Sequence, residues 1–129
     1  KAQKIPFYLE VSNNIPIVEV PMLDTVRLLS ILLDNALEGT EKALYPQITV
    51  AIIHDTTTTS VLIQNTRESV VIDKRKIWEK GYSTKGKNRG IGLSSLLDLI
   101  YKLENVDIET IIEEESFTQK LIFRKRGAY

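Results

Sequence analysis

The chain has 129 residues, and its 17 Lys and Arg are matched by 17 Asp and Glu, so formal charge cancels at neutral pH. This length suits one domain with a real core, and the even balance argues against a dedicated nucleic-acid binder. Cysteine is absent, which excludes disulfides and thiolate chemistry, and no apolar run is long enough to cross a bilayer or to read as a signal peptide.

The alternation over Ile5–Val11 predicts a short strand, followed by an irregular link through Ser12-Asn13-Asn14, Pro16 and Pro21. Asp24 is the expected N-cap of a long helix running to about Leu44, with Val26, Leu29, Leu33, Ala36 and Leu37 on one face and Pro46 as its stop. Ile48–His54 and Ser60–Asn65 are rich in β-branched residues and flank Asp55 and four threonines, which predicts a hairpin. Lys74–Lys80 reads as a short helix. A basic, glycine-rich loop comes next, and then a helix over Leu93–Leu103. Asn105–Ile112 and Phe117–Arg124 predict a second hairpin around three glutamates. Two hairpins and two main helices predict an α/β sandwich, a mixed but mostly antiparallel sheet with helices on one face. No repeat or linker divides it, so residues 1–129 form one domain. Because it begins at Lys1, the chain is expected to be a piece of a longer protein.

The segment from Lys80 to Leu93, KGYSTKGKNRGIGL, holds the densest chemistry. Gly86, Gly90 and Gly92 let backbone N–H groups approach an anion closely, Lys85, Lys87 and Arg89 add positive charge, and the helix that follows turns its positive dipole end toward the loop. Polyphosphate is the expected ligand. Two common phosphate motifs fail. Gly81–Lys87 fits part of a P-loop, but Asn88 stands where a Ser or Thr would meet magnesium, and a short helix precedes it in place of a strand. Gly90-Ile91-Gly92 lacks the third glycine of a dinucleotide fingerprint, because Ser95 stands there.

The same loop resembles the second glycine box of the GHKL superfamily, the ATPases and kinases of the Bergerat fold. Leu32-Leu33-Asp34-Asn35-Ala36-Leu37-Glu38 resembles its N box, and Ile77–Gly86 resembles the entry to the ATP lid of sensor histidine kinases. Gly90-Ile91-Gly92-Leu93 completes the set, and order and spacing agree over about Asp24–Phe123. The DNA-x-E form of the N box and the STKG lid entry are most similar to the peptide-pheromone (quorum-sensing) receptor kinases.

That resemblance implies Mg-ATP as ligand and assigns roles residue by residue. Asn35 would ligate Mg²⁺ through its amide oxygen, a hard donor that shares the metal with phosphates. As a bare sequence feature it reads first as an exposed helix asparagine, and the surrounding N-box match reverses that order. Glu38, one turn on, either orients the site or is a solvated surface glutamate. Gly86, Gly90, Gly92 and Leu93 would line the phosphates, with Lys85 and Arg89 meeting the β- and γ-phosphates. Lys85 has the firmer claim because it lies within the STKG match. Asn65 stands where most of the superfamily has an adenine-binding aspartate; it keeps the carbonyl acceptor and loses the charge. The glycines that normally follow are replaced by Thr66-Arg67-Glu68, so Asn65 reads either as an adenine contact or as a strand-end turn former.

Ile31 lies one turn before Asn35, where hydrolysing members carry a glutamate base. An aliphatic side chain cannot activate water, which favours phosphotransfer to a histidine side chain over hydrolysis. His54 ends a strand and reads as structural, and Trp78 reads as a packing anchor. The resemblance therefore implies the catalytic and ATP-binding domain of a sensor histidine kinase. Its partners would be a phosphoacceptor dimerisation domain of the same receptor and a response regulator, with no nucleic-acid or membrane contact of its own. It would sit on the cytoplasmic side of a membrane-embedded receptor. The rivals are an ATP-hydrolysing clamp and a non-catalytic interaction module.

Overall fold

The computed structural model of the chain describes residues 4–12, 18–68 and 90–125. They form, in order, β1 (Phe7–Val11), α1 (Met22–Gly39), β2 (Ile48–His54), β3 (Thr58–Thr66), α2 (Gly90–Lys102), β4 (Val106–Ile112) and β5 (Ser116–Arg124). The short helix expected over Lys74–Lys80, the basic loop and Trp78 lie outside the described residues.

Five strands form one sheet in the order β1-β2-β3-β5-β4. Both expected hairpins are present as antiparallel pairs, β2 with β3 and β4 with β5, and β3 and β5 pair antiparallel at the centre. β1 pairs parallel with β2, which makes the sheet mixed. Asp55 organises the β2–β3 turn: its Oδ1 accepts the Thr57 and Thr58 N–H groups, each at 2.9 Å, as an Asx turn does.

Alternation along the strands sends Ile48 and Val50, Val61 and Ile63, and Leu121 and Phe123 to one side. There Leu28, Leu32 and Ala36 of α1 and Leu96 and Ile100 of α2 cover them. α1 packs on β3 and against α2, so both helices share that face. The α/β sandwich with helices on one side of a mostly antiparallel sheet is therefore the observed architecture.

Helix α1 departs from its sequence reading in three ways. Pro21 occupies the N-cap with no side-chain cap, and Asp24 falls in the first turn, where a carboxylate favours the helix dipole. The buried stripe is centred on Leu28, Leu32 and Ala36, while Val26 and Leu37 are exposed. Leucines at 28, 29, 32 and 33 surround enough of the helix that periodicity alone could not fix its centre. The helix also stops at Gly39, well before Leu44. Thr40 takes the C-cap, donating its N–H to the Ala36 carbonyl, and its buried hydroxyl lies 2.7 Å from that of Thr66. A tertiary hydrogen bond ends this helix, and Pro46 comes too late to do so.

Candidate functional site

Asn35 is a polar residue on the stripe that α1 buries against the sheet, together with Leu28, Leu32 and Ala36. One turn further, Gly39 faces the end of β3. A Cβ built on Gly39 would stand 2.8 Å from Nδ2 of Asn65, so α1 approaches the Asn65 side chain more closely than any other residue type would allow. Asn65 is 2% exposed. Its amide nitrogen donates to the Thr66 carbonyl at 2.8 Å, which leaves Oδ1 as the end of the side chain able to accept. The structure thus brings the Asn35 end of α1 and Asn65 together.

Thr66 fixes this corner. Its hydroxyl donates to the Tyr45 carbonyl at 2.8 Å and accepts the Gln47 N–H at 2.9 Å. With its proton committed to Tyr45, the 2.7 Å contact to Thr40 is a bond that Thr40 donates. Arg67, buried where the superfamily pattern has glycine, donates from Nη1 to the Glu113 carbonyl at 3.1 Å, and its N–H donates to the Glu115 carbonyl. These contacts tie the end of β3 to the turn between β4 and β5. The residues that replaced the expected glycines therefore have structural work of their own.

Gly90 and Gly92 lie in the first turn of α2, with Leu93 directly after, so the helix begins three residues earlier than its apolar pattern suggested. Helical N–H groups at that position have no partner within the helix and suit an anion. The C-terminal end of α2 is tied to the opposite end of the sheet. Asn105, just past it, donates to the Glu19 and Arg124 carbonyls at 2.9 and 3.0 Å. Arg124 pairs with Thr58 at the start of β3, whereas Asn65 lies at its finish. α2 therefore runs back from the Arg124 end, and its glycine-bearing start lies away from that end. Lys85, Gly86 and Arg89 lie outside the described residues.

A cleft of about 460 Å³ sits at the Arg124 end, between His54, Asp55, Phe123 and Lys125. It is remote from Asn35 and Asn65 and is walled largely by the Asp55 turn. His54 is half-buried at the finish of β2 there, consistent with a structural role. Among the described residues no group of three His, Asp or Glu side chains could hold a metal ion. A Mg²⁺ shared with phosphates needs no such cage: one amide oxygen, phosphate oxygens and water satisfy it, and the amide of Asn35 is a donor of that kind. Sequence reasoning missed Gly39, Thr40 and Thr66. The signal was available for Gly39, because a glycine inside a helical pattern marks close packing.

The family described as the GHKL domain matches residues 20–124. No curated protein matches the chain. Among solved structures, the nucleotide-free catalytic domain of histidine kinase ThkA is 25% identical with a TM-score of 0.77, covering 94% of this chain and 80% of that one. A mycobacterial sensor histidine kinase, MprB, is 15% identical with a TM-score of 0.73, covering 93% of this chain and 81% of that one. ThkA in complex with the response regulator protein TrrA is 22% identical with a TM-score of 0.74, over 94% of this chain and 34% of that one.

Proposed function

The chain belongs to the GHKL domain family, and from that premise we propose that it is the catalytic and ATP-binding domain of a sensor histidine kinase. The observation that supports this best is the close approach of Gly39 to Asn65, which sets the helix bearing Asn35 against the strand end that would meet a base. Asn35 would hold Mg²⁺ by its amide oxygen, and Asn65 would accept a hydrogen bond from the adenine amino group. Backbone amides at Gly90, Gly92 and Leu93, with Gly86, Lys85 and Arg89, would hold the phosphates. The metal, when bound, neutralises charge that develops on the phosphoryl oxygens.

Phosphoryl transfer asks little covalent chemistry of the protein; positioning and charge neutralisation supply most of the catalysis. Ile31 fits that division of labour. It is partly buried against the core and brings no base near the triphosphate. The acceptor would be a histidine on a dimerisation domain of the same receptor. ThkA is seen bound to the response regulator TrrA, and a response regulator is the downstream partner proposed for this chain. The DNA-x-E and STKG forms favour a peptide-pheromone receptor of the quorum-sensing kind, membrane-embedded, with this single domain in the cytoplasm. No helix among the described residues is long and apolar enough to cross a membrane.

Calorimetric titration with ATP, with and without magnesium, tests the proposal. Wild-type protein should bind ATP more tightly with magnesium than without. Asn35→Ala should lose that magnesium dependence, because the lost side chain supplies the metal ligand. Magnesium dependence unchanged in Asn35→Ala would remove Asn35 from the metal, and no binding by wild type would remove the nucleotide.

A further inference from the structure

Every residue of β1 is exposed, although the strand reads Phe-Tyr-Leu-Glu-Val and is mostly apolar. Phe7, Tyr8, Leu9 and Val11 are each between 47% and 60% exposed. Register with β2 sets Phe7, Leu9 and Val11 beside Ile48, Val50 and Ile52, on the side that the helices occupy. The helices pack on β3 and β4, so this apolar row at the margin stays in solvent. The backbone of β1 is open as well. The Ile48 N–H donates to the Pro6 carbonyl, and the Ser12 N–H donates to the Ile52 carbonyl. Bonds in a parallel pair are evenly spaced, so Tyr8 and Glu10 are the other residues of β1 that bond to β2. The N–H and C=O groups of Phe7, Leu9 and Val11 therefore point outward, and among the described residues no strand pairs on that side.

Sheet edges commonly carry a lysine, a proline or a bulge that keeps a second strand away, and Phe7–Val11 holds no lysine or proline and pairs residue for residue with β2. The opposite edge, β4, is defended by charge. Asp107 and Glu109 flank Ile108 there, and two copies paired about Ile108 would set carboxylate against carboxylate. We propose that β1 is a self-association surface, on which a second copy of this chain adds its own β1 antiparallel about a two-fold axis at Leu9. The two-fold puts Leu9 opposite Leu9 of the copy and Phe7 opposite Val11, pairs that exchange both of their backbone hydrogen bonds. Every outward N–H and C=O of the strand then has a partner. On the other face Tyr8 falls opposite Glu10, a phenol against a carboxylate, so the two glutamates do not oppose each other. Formal charges on the chain cancel, and no net repulsion opposes the pairing. Five residues from each copy bury less than the roughly 1,600 Å² of a standard interface, so the dimer is transient and depends on concentration. β2 separates β1 from β3, which leaves the Asn65 corner open. The inference goes beyond the nucleotide reading and does not depend on it.

Sedimentation velocity from micromolar to millimolar protein, with thermal melts of each variant, tests the pairing. Wild type should move from the monomer mass toward twice that mass as concentration rises. Leu9→Lys sets two like charges face to face at the axis and should weaken association about a hundredfold. Its melt should match that of wild type, because the position is exposed. Val11→Lys, which faces Phe7 of the copy, gives the readout should Leu9→Lys not fold. Leu9→Glu alone should also stay monomeric, and an equimolar mixture of Leu9→Lys with Leu9→Glu should associate again, since opposite charges then meet. Wild type that remains monomeric at every concentration would overturn the proposal. A folded Leu9→Lys that dimerises as tightly as wild type would overturn it too, by placing the contact elsewhere. A mixture that stays monomeric would refute the two-fold at Leu9.

Discussion

The space that a side chain on Gly39 would need is already filled by the amide of Asn65. Asn65 cannot simply rotate away, because it is buried and its nitrogen is committed to the Thr66 carbonyl. Gly39→Ala therefore sets two effects in opposition. The alanine favours the helix by up to about 1 kcal/mol, and the clash displaces Asn65. Stability should move little, while ATP affinity should fall roughly tenfold if the base contact proposed for Asn65 is lost. A melt and a titration on the same protein separate the two, and full ATP affinity in Gly39→Ala would take Asn65 out of the base site. Asn35 and Asn65 were both readable as site candidates from residue type and motif position. Gly39 was not assigned, because its partner lies 26 positions away and only the fold brings the two together.

The elements themselves were legible wherever local chemistry decided them. β2 has the bounds its β-branched run suggested, and the Asp55 turn joins it to β3. The end of α1 was not legible, because Thr40, Thr66 and Gln47 meet only in the folded chain. Thr66→Val should show how much that corner contributes: it leaves the Tyr45 carbonyl without this donor and the Gln47 N–H with only its longer bond to Thr40, costing about 1–3 kcal/mol in urea unfolding. A loss below that range would place the stop of α1 elsewhere. The Asp55 turn gives a prediction in pH. Hydrogen bonds, first from the Thr57 N–H and then from the Thr58 N–H, hold the Asp55 carboxyl below its ordinary value of 3.8. A lowered folded value means that the charged form stabilises the fold, fully above 3.8 and less as pH falls through the folded value. The stability gap between wild type and Asp55→Ala should therefore be present at neutral pH and shrink below 3.8. A gap that stays constant across that range would show that the turn does not depend on the charge.

At the scale of the whole molecule, two hairpins and two helices were enough to foretell a one-sided α/β sandwich, because each hairpin is local and the helices must cover its apolar face. The parallel pairing of β1 and the central pairing of β3 with β5 were not foretold, since both join segments far apart in the chain. The architecture bears on the choice between kinase and hydrolase through Ile31. It is partly buried and packs against the residues that hold α1 on the sheet, so the position that the resemblance gives to a hydrolase's base is here an aliphatic side chain against the core. On the proposed nucleotide reading, water then has no proton acceptor at that position, and the proposed phosphoryl acceptor is a histidine outside this domain. Given Mg-ATP alone, the domain should bind it and release phosphate only slowly. Addition of a separate helical domain bearing an acceptor histidine should transfer label from γ-³²P-ATP to that histidine as acid-labile, base-stable phosphate. Steady multiple-turnover phosphate release with no acceptor present would instead make the domain a hydrolase, and Ile31 would no longer explain its chemistry.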